Sequence, residues 1–174
     1  MWSDISKYLD QYKNLFGNEL YIENYVNKDV FFSSEGNVDS DIVFIEYVSP
    51  SVSKPLINES NKLLNNIFSA VNLSRSKVCI LKVSSLLNIE SKKMEMNLES
   101  FLEVNNFKLI VFLGKEVSDF FVSFKKSSED KIGRYKKIDI ITTMHPLSLL
   151  ENPNLKRAVW EDFKLIQKKY LDVN

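Results

Sequence analysis

The chain has 174 residues and is 44% apolar, which predicts one globular domain over residues 1–174 with its own core. Its 23 basic and 23 acidic residues cancel, so the net charge does not indicate nucleic-acid binding, and only a local patch would serve. The single cysteine, Cys79, excludes an internal disulfide and any four-cysteine metal or cluster site within one chain. No apolar run reaches membrane-spanning length and no signal-peptide pattern opens the chain. We therefore expect a cytoplasmic protein with no membrane partner.

The first 30 residues predict a helical N-terminal extension packed on the domain. An apolar stripe with Ser3 as N-cap predicts a helix over 3–16. Residues 21–32 are rich in β-branched and aromatic side chains and predict short extended pieces, a hairpin or an edge. The Ser-Ser-Glu-Gly-Asn run at 33–37 predicts a turn.

Four apolar runs predict the strands of a buried sheet. Each is apolar on successive residues, which is typical of strands covered on both faces, as in parallel sheets. The predicted strands are 42–45, 77–83, 109–113 and 138–144.

Helical patterns separate these strands. The predicted helices are 55–71, 98–105, a helix after Gly114, and a C-terminal helix that starts at Asn152 as N-cap and Pro153 as first residue. The polar segments 84–97 and 125–137 are predicted connections, the first with room for one helical turn. Alternating strands and helices predict an α/β fold: a three-layer α/β/α sandwich on a mainly parallel four-stranded central sheet.

Two polar residues follow predicted strands, where ligands bind in open α/β sheets. His145, the only histidine, comes just after the fourth strand, where an imidazole can hydrogen-bond a ligand or stabilise negative charge. The alternative is a histidine satisfied by backbone in a tight turn. Glu46, just after the first strand, either faces the same site or is an ordinary loop carboxylate.

Three further features have ordinary structural interpretations beside functional ones. Gly114-Lys115 opens a helix after a strand and would suit a phosphate, but without a glycine-rich phosphate motif a plain strand-to-helix turn is the favoured interpretation. Lys156 and Arg157 begin the last helix and would form either a phosphate-contacting rim or a solvated face. Cys79 lies in an apolar strand and is predicted to be an inert core thiol.

Several stretches together resemble the family-4 uracil-DNA glycosylases, over roughly residues 30–170. Residues 31–45 look like that family's Gly-Glu-Gly-Asn-Pro lead into its first strand. Residues 53–64 are similar to its Gly-Arg-Pro-Phe-Val-Gly segment and following helix, and residues 101–114 to its third strand and turn. The closest match runs from Thr143-Met144-His145-Pro146-Leu147 to Asp162.

This resemblance implies the fold predicted above and an enzyme of DNA repair that flips uracil out of DNA and hydrolyses its glycosidic bond. The base must be flipped because the bond is inaccessible within the stack. By this resemblance the catalytic candidates are His145, which would stabilise the departing uracil anion, and Glu46. The candidates for binding substrate or DNA are Tyr47, Pro146, Ser148 and Arg157.

The chain departs from the family pattern at three places. The family's Gly-Glu-Ala-Pro-Gly loop corresponds to 46–50, or slips so that Glu46 takes the acidic place, and both glycines are missing. The family's base-reading Asn corresponds to Leu81. The four cysteines that hold an iron–sulfur cluster are absent, so we expect no cofactor and no metal site.

Two functions therefore remain open. One is a divergent glycosylase that binds single- or double-stranded DNA and uses His145 with unfamiliar partners. The other is a non-catalytic interaction subunit, similar to the psi subunit of the bacterial DNA polymerase III holoenzyme, with a repair or replication protein as partner. The Asn-Pro-Asn-Leu-Lys-Arg-Ala-Val-Trp segment at 152–160 is similar to a segment of psi.

Overall fold

A computed structural model describes residues 32–83, 91–121 and 131–171, which all belong to one compact unit spanning Phe31–Asn174. The predicted helix over 3–16 and the N-terminal extension lie outside the described residues, so the single-domain organisation stays a prediction. Within the described ranges, every helix is too short or too polar to cross a bilayer.

One six-stranded mixed sheet forms the centre of the fold, in the order β1-β3-β2-β4-β6-β5. The four central strands are mutually parallel, and the two edge strands, β1 and β5, run antiparallel to their neighbours. The strands are β1 (Phe32–Gly36), β2 (Ile42–Tyr47), β3 (Cys79–Val83), β4 (Leu109–Leu113), β5 (Ile132–Tyr135) and β6 (Ile138–Thr143).

Helices cover both faces of this sheet, so the predicted α/β class and three-layer arrangement are confirmed. The helices are α1 (Lys54–Ala70), α2 (Ser91–Val104), α3 (Lys115–Phe120), α4 (Pro146–Glu151) and α5 (Lys156–Ile166). Short turns of 3₁₀ helix at Arg75–Lys77 and Pro153–Leu155 and a π-helical end at Gln167–Leu171 complete the described elements.

Alternation along β2 divides the core into two halves. Val43 and Ile45 pack on the side of α2 and α3, whereas Phe44 packs on the side of α1 and α5. The Phe44 ring lies 4.9 Å from the ring of Phe68 in α1 and 6.0 Å from that of Phe163 in α5 (centroid distances). Both faces of β2 are therefore buried, which is why its sequence is apolar from Ile42 to Ile45.

The prediction of a four-stranded sheet is wrong in number, because two edge strands were predicted as turn and loop. Residues 33–36, predicted as a turn, lie in β1 and pair with β3. Residues 132–135, predicted as part of a solvated connection, form β5. Edge strands pair on one side only and tolerate polar side chains, so their sequences resemble loops.

Two helical segments also differ from the prediction. Helix α2 begins at Ser91, so half of the segment 84–97 that was predicted as a loop is helical. The segment after β6, predicted as a polar loop, contains the short helix α4. The N-cap at Asn152 is confirmed, since its Oδ1 accepts a hydrogen bond from the Asn154 N–H, and Pro153 follows it.

Candidate functional site

The topology of the sheet predicts where a ligand binds. From β2 the chain moves to β3 on one side and then crosses back to β4 on the other side, so the strand order reverses between β2 and β4. In open α/β sheets the crevice outside the carboxyl ends at such a point holds the ligand. Glu46 and Tyr47 end β2, and Gly114 follows β4.

Glu46 and His145 lie close together at this edge of the sheet, although 99 positions separate them in the sequence. Glu46 lies at the end of β2 and His145 just after the end of β6. His145 follows β6, and its Nε2 lies 3.5 Å from Oε2 of Glu46. His145 is 7% exposed and Glu46 is 6% exposed. A carboxylate is costly to bury without a partner, so its placement against an imidazole indicates a built site rather than an ordinary loop carboxylate.

The backbone fixes the tautomer of His145. The Leu147 N–H donates a hydrogen bond to Nδ1 over 3.1 Å, so Nδ1 is the acceptor and the proton of the neutral ring sits on Nε2. This contact caps α4, which has Pro146 at its first position. Nε2 is the one buried side-chain polar atom without a hydrogen-bond partner within the described residues. The backbone thus satisfies Nδ1, whereas Nε2 faces Glu46 without a hydrogen bond.

A cavity of about 320 Å³ lies beside His145 at the carboxyl ends of β2, β4 and β6. Its wall includes Tyr47 and Val48 after β2, Lys115 after β4, and Ser148 in α4. Tyr47 and Val48 line the cavity and do not fill it. This volume falls in the usual range of ligand pockets, about 300–1,000 Å³.

A second cavity of about 270 Å³ lies on the α1 side of the sheet and shares Val48 and His145 with the first. Its wall is more polar and includes Glu46, Asn61 and Lys82. Glu46 borders this second cavity, and His145 separates the two.

Gly114 permits the backbone conformation of the turn after β4, beside His145. Its φ is +102°, which L side chains rarely adopt, and a Cβ there would lie 3.4 Å from Cβ of His145. Its N–H donates a hydrogen bond to the Thr143 carbonyl over 2.8 Å, which ties the turn after β4 to the end of β6. Gly114 thus has a structural role in the turn beside His145.

The other sequence candidates lie at different distances from the cavities. Tyr47 and Ser148 line the first cavity, and Pro146 is buried at the start of α4. The Arg157 side chain is 91% exposed on α5, lines neither cavity and lies 3.6 Å from Glu161. Leu81, matched to a base-reading Asn, lies within β3 and is buried in the core, so it is not a site residue.

Three polar residues of the second cavity, Ser60, Asn61 and Lys82, were not anticipated from the sequence. Ser60 is buried on the apolar face of α1, four residues before Leu64 and eight before Phe68. A hydroxyl that interrupts an apolar stripe in this way is the signal that would have indicated a polar site under the helix. Asn61 carries no such signal, because asparagine is common at partly exposed positions of helices.

The described residues do not fit a metal or cluster. No group of three or more His, Cys, Asp or Glu side chains in the described ranges is placed to hold a metal ion. Cys79, the only cysteine, is buried in β3, and burial raises the pKa of its thiol to about 11, which makes it an inert core residue. An iron–sulfur cluster of the family-4 kind needs four thiolates and has no ligand set here.

Comparison with known proteins supports the fold. A sequence model of the uracil DNA glycosylase superfamily matches residues 33–164. That range covers most of the chain, and the chain belongs to this superfamily.

A relative in Borreliella burgdorferi, an uncharacterized protein, is 31% identical over 96 residues. The aligned part is 53% of this chain and 48% of the relative. The chain thus spans about half the length of this relative.

Proposed function

We propose that this chain is a divergent, family-4-like glycosylase of DNA repair that removes uracil from DNA. The observation that carries this proposal is the buried Glu46–His145 pair beside the switch-point cavity, with Nε2 of His145 lacking a partner. A carboxylate and a histidine buried side by side at the edge of a cleft are typical of catalytic sites. Membership of the superfamily supports the choice of reaction.

The first cavity suits a flipped base. A base within the DNA stack cannot reach a buried histidine, so it must leave the duplex or come from single-stranded DNA. Tyr47 offers an aromatic face for stacking, and the hydroxyl of Ser148 offers a hydrogen bond to a base edge. Arg157, whose side chain is 91% exposed on α5, would contact a backbone phosphate of the bound DNA.

His145 and Glu46 would act on opposite ends of the bond that breaks. Cleavage of the N-glycosidic bond leaves negative charge on the base, which the Nε2–H of a neutral His145 stabilises by donating a hydrogen bond. Glu46 stabilises the positive charge on the sugar and accepts a proton from the attacking water. The hydroxyl of that water joins the sugar, and a proton ends on the base. Nε2 is itself buried, so base binding requires small side-chain shifts, as ligand-free active sites commonly do.

A second function, that of a non-catalytic interaction subunit similar to psi, is favoured by one observation. Tyr47 and Val48 stand where the glycosylases have small residues that let backbone approach the base, and both line the cavity. This arrangement predicts DNA or protein binding without strand scission after alkali treatment.

A gel assay separates the two functions. The full chain is incubated with uracil-containing single- and double-stranded oligonucleotides, followed by alkali to cleave abasic sites. We expect cleavage by the wild type and a loss of about 100-fold or more in His145→Ala and Glu46→Gln, since removing one charge-stabilising group has this effect in other enzymes.

Lys92→Ala is the matched control, because Lys92 is exposed on α2 and lines neither cavity. Retained cleavage in this variant would show that the losses are specific. An absence of cleavage by the wild type, or equal cleavage by wild type and His145→Ala, would overturn the catalytic proposal and favour the interaction subunit.

A further inference from the structure

An apolar groove of about 200 Å³ lies between α1 and α5, away from both cavities. Its floor contains Leu149 and Val159, which are 1% and 2% exposed. The whole lining is Leu63, Ile67, Leu149, Lys156, Val159 and Trp160. None of these residues borders either cavity at the carboxyl edge of the sheet, so the groove is separate from the candidate active site.

Large apolar side chains on the walls remain in contact with solvent. Trp160 is 39% exposed, and Leu56, seven residues before Leu63 and therefore on the same face of α1, is 45% exposed. Apolar surface left in water is unfavourable by roughly 25 cal/mol per Å². Concave apolar surface with an exposed tryptophan is a common anchor of protein interfaces.

The charges at the groove have one sign. Lys156 is the only charged residue of the lining, and Nζ of Lys164 lies 5.5 Å from the centroid of the Trp160 ring. Within the described residues neither lysine forms an ion pair, whereas Lys131 and Lys169 each hold an aspartate. The groove therefore combines an apolar slot with two cations that have no local counterion.

We propose that this groove docks an acidic peptide segment of a protein partner. One bulky apolar side chain of the peptide enters the slot between Leu63 and Trp160, and flanking carboxylates pair with Lys156 and Lys164. Charge complementarity selects an anionic partner and the apolar slot selects an anchoring side chain. The proposal holds whether or not the protein is a glycosylase.

The groove suits a peptide better than a nucleic acid. Apart from the Lys156 ammonium, its lining residues are apolar, so the polar edges of an inserted base would lose hydrogen bonds, at about 1–3 kcal/mol for each unpaired group. The Lys164 ammonium already covers the Trp160 ring, so that face is not open for base stacking. An aliphatic or aromatic peptide side chain meets neither penalty.

Fluorescence anisotropy with the full chain tests this proposal. The probe is a short labelled peptide with one phenylalanine flanked by aspartates, and the comparison probes carry alanine for the phenylalanine or lysines for the aspartates. We expect saturable binding of the first probe that weakens with added salt, and at least about tenfold weaker binding of the other two.

Variants locate the binding. Trp160→Ala and the double variant Lys156→Glu, Lys164→Glu should each weaken binding about tenfold or more, while Lys92→Glu, on the opposite helical layer, should not. Circular dichroism establishes that each variant is folded, and unchanged uracil release would show that any glycosylase activity is independent. Equal binding by Trp160→Ala and wild type would overturn the proposal. So would a loss of DNA binding, or of dimers in sedimentation, without a loss of peptide binding.

Discussion

Glu46 Oε2 lies 3.5 Å from Nε2 of His145, while the other nitrogen of that ring accepts the Leu147 N–H. The same imidazole thus caps the N-terminus of α4 through Nδ1 and faces a buried carboxylate through Nε2. The capping role of His145 and its proposed catalytic role can be tested separately, because they involve different ring nitrogens.

His145→Asn should remove the Nε2–H and keep the cap. Asparagine is among the best N-cap residues, so its side-chain oxygen can replace Nδ1 as the acceptor for the Leu147 N–H. In His145→Ala the cap is lost as well, which costs about 0.5–2 kcal/mol. Chemical denaturation should therefore show a lower free energy of unfolding for the alanine variant than for the asparagine variant, and the gel assay should show that both lose activity.

If His145 were only a capping residue, the asparagine variant would keep wild-type activity. Lys92→Ala serves as a control, because Lys92 is exposed on α2 and lines neither cavity.

Gly114→Ala should destabilise the turn between β4 and α3. Its φ of +102° with ψ of 149° is a region that is essentially restricted to glycine, and an added Cβ would touch His145 at 3.4 Å. We expect a loss of about 1–3 kcal/mol in the free energy of unfolding, measured by urea denaturation. A change smaller than that of Ala70→Gly, which only removes a methyl group near the end of α1, would contradict this account.

Asp139 should make the fold sensitive to acid. Burial raises the pKa of its carboxyl, but hydrogen bonds from Lys169, Tyr170 and Arg134 outweigh this and hold the pKa below the ordinary value. A carboxyl with a lowered pKa stabilises the fold fully above its unfolded pKa of about 3.9 and loses that contribution as the pH falls through the folded value. Asp139→Asn should therefore lower stability at neutral pH and flatten its decline below about pH 4.

The matched control is Asp41→Asn, which removes an exposed pair with Lys108 at 2.9 Å. Exposed pairs contribute about 0–1 kcal/mol, so this variant should unfold nearly like the wild type. Equal acid sensitivity of wild type and Asp139→Asn would show that other carboxyl groups govern the decline.

The central strands could be predicted because they are buried on both faces. Phe44 and Ile45, for instance, point to opposite halves of the core, which requires an uninterrupted apolar sequence. The edge strands could not, because Ser34 and Glu35 in β1 meet solvent and have the composition of a turn. Residues 92–97 of α2 could not be predicted as helix, because Met94 is the only one among them with a buried side chain.

The site could be predicted only in part. His145 and Glu46 follow apolar strands, which places them at one edge of a parallel sheet, but their contact depends on β2 and β6 being separated by β4 alone. Strand order is set by long-range packing and is not readable from local sequence. The capping role of His145 could not be predicted either, because the six-residue helix α4 is too short to show a periodic pattern.

Arg157→Ala should weaken DNA binding without affecting the fold. Its side chain is 91% exposed and reaches only Glu161, at 3.6 Å, so its loss should leave the free energy of unfolding within about 0.5 kcal/mol of wild type. A phosphate contact carries no sequence information, so the loss of affinity should be similar for oligonucleotides of different sequence, and the slope of log K against log salt should fall by about 1. Anisotropy titrations over a series of salt concentrations measure both quantities. Lys92→Ala, also exposed but on the opposite helical layer, should leave the slope unchanged, and an equal change in the two variants would remove Arg157 from the DNA-binding surface.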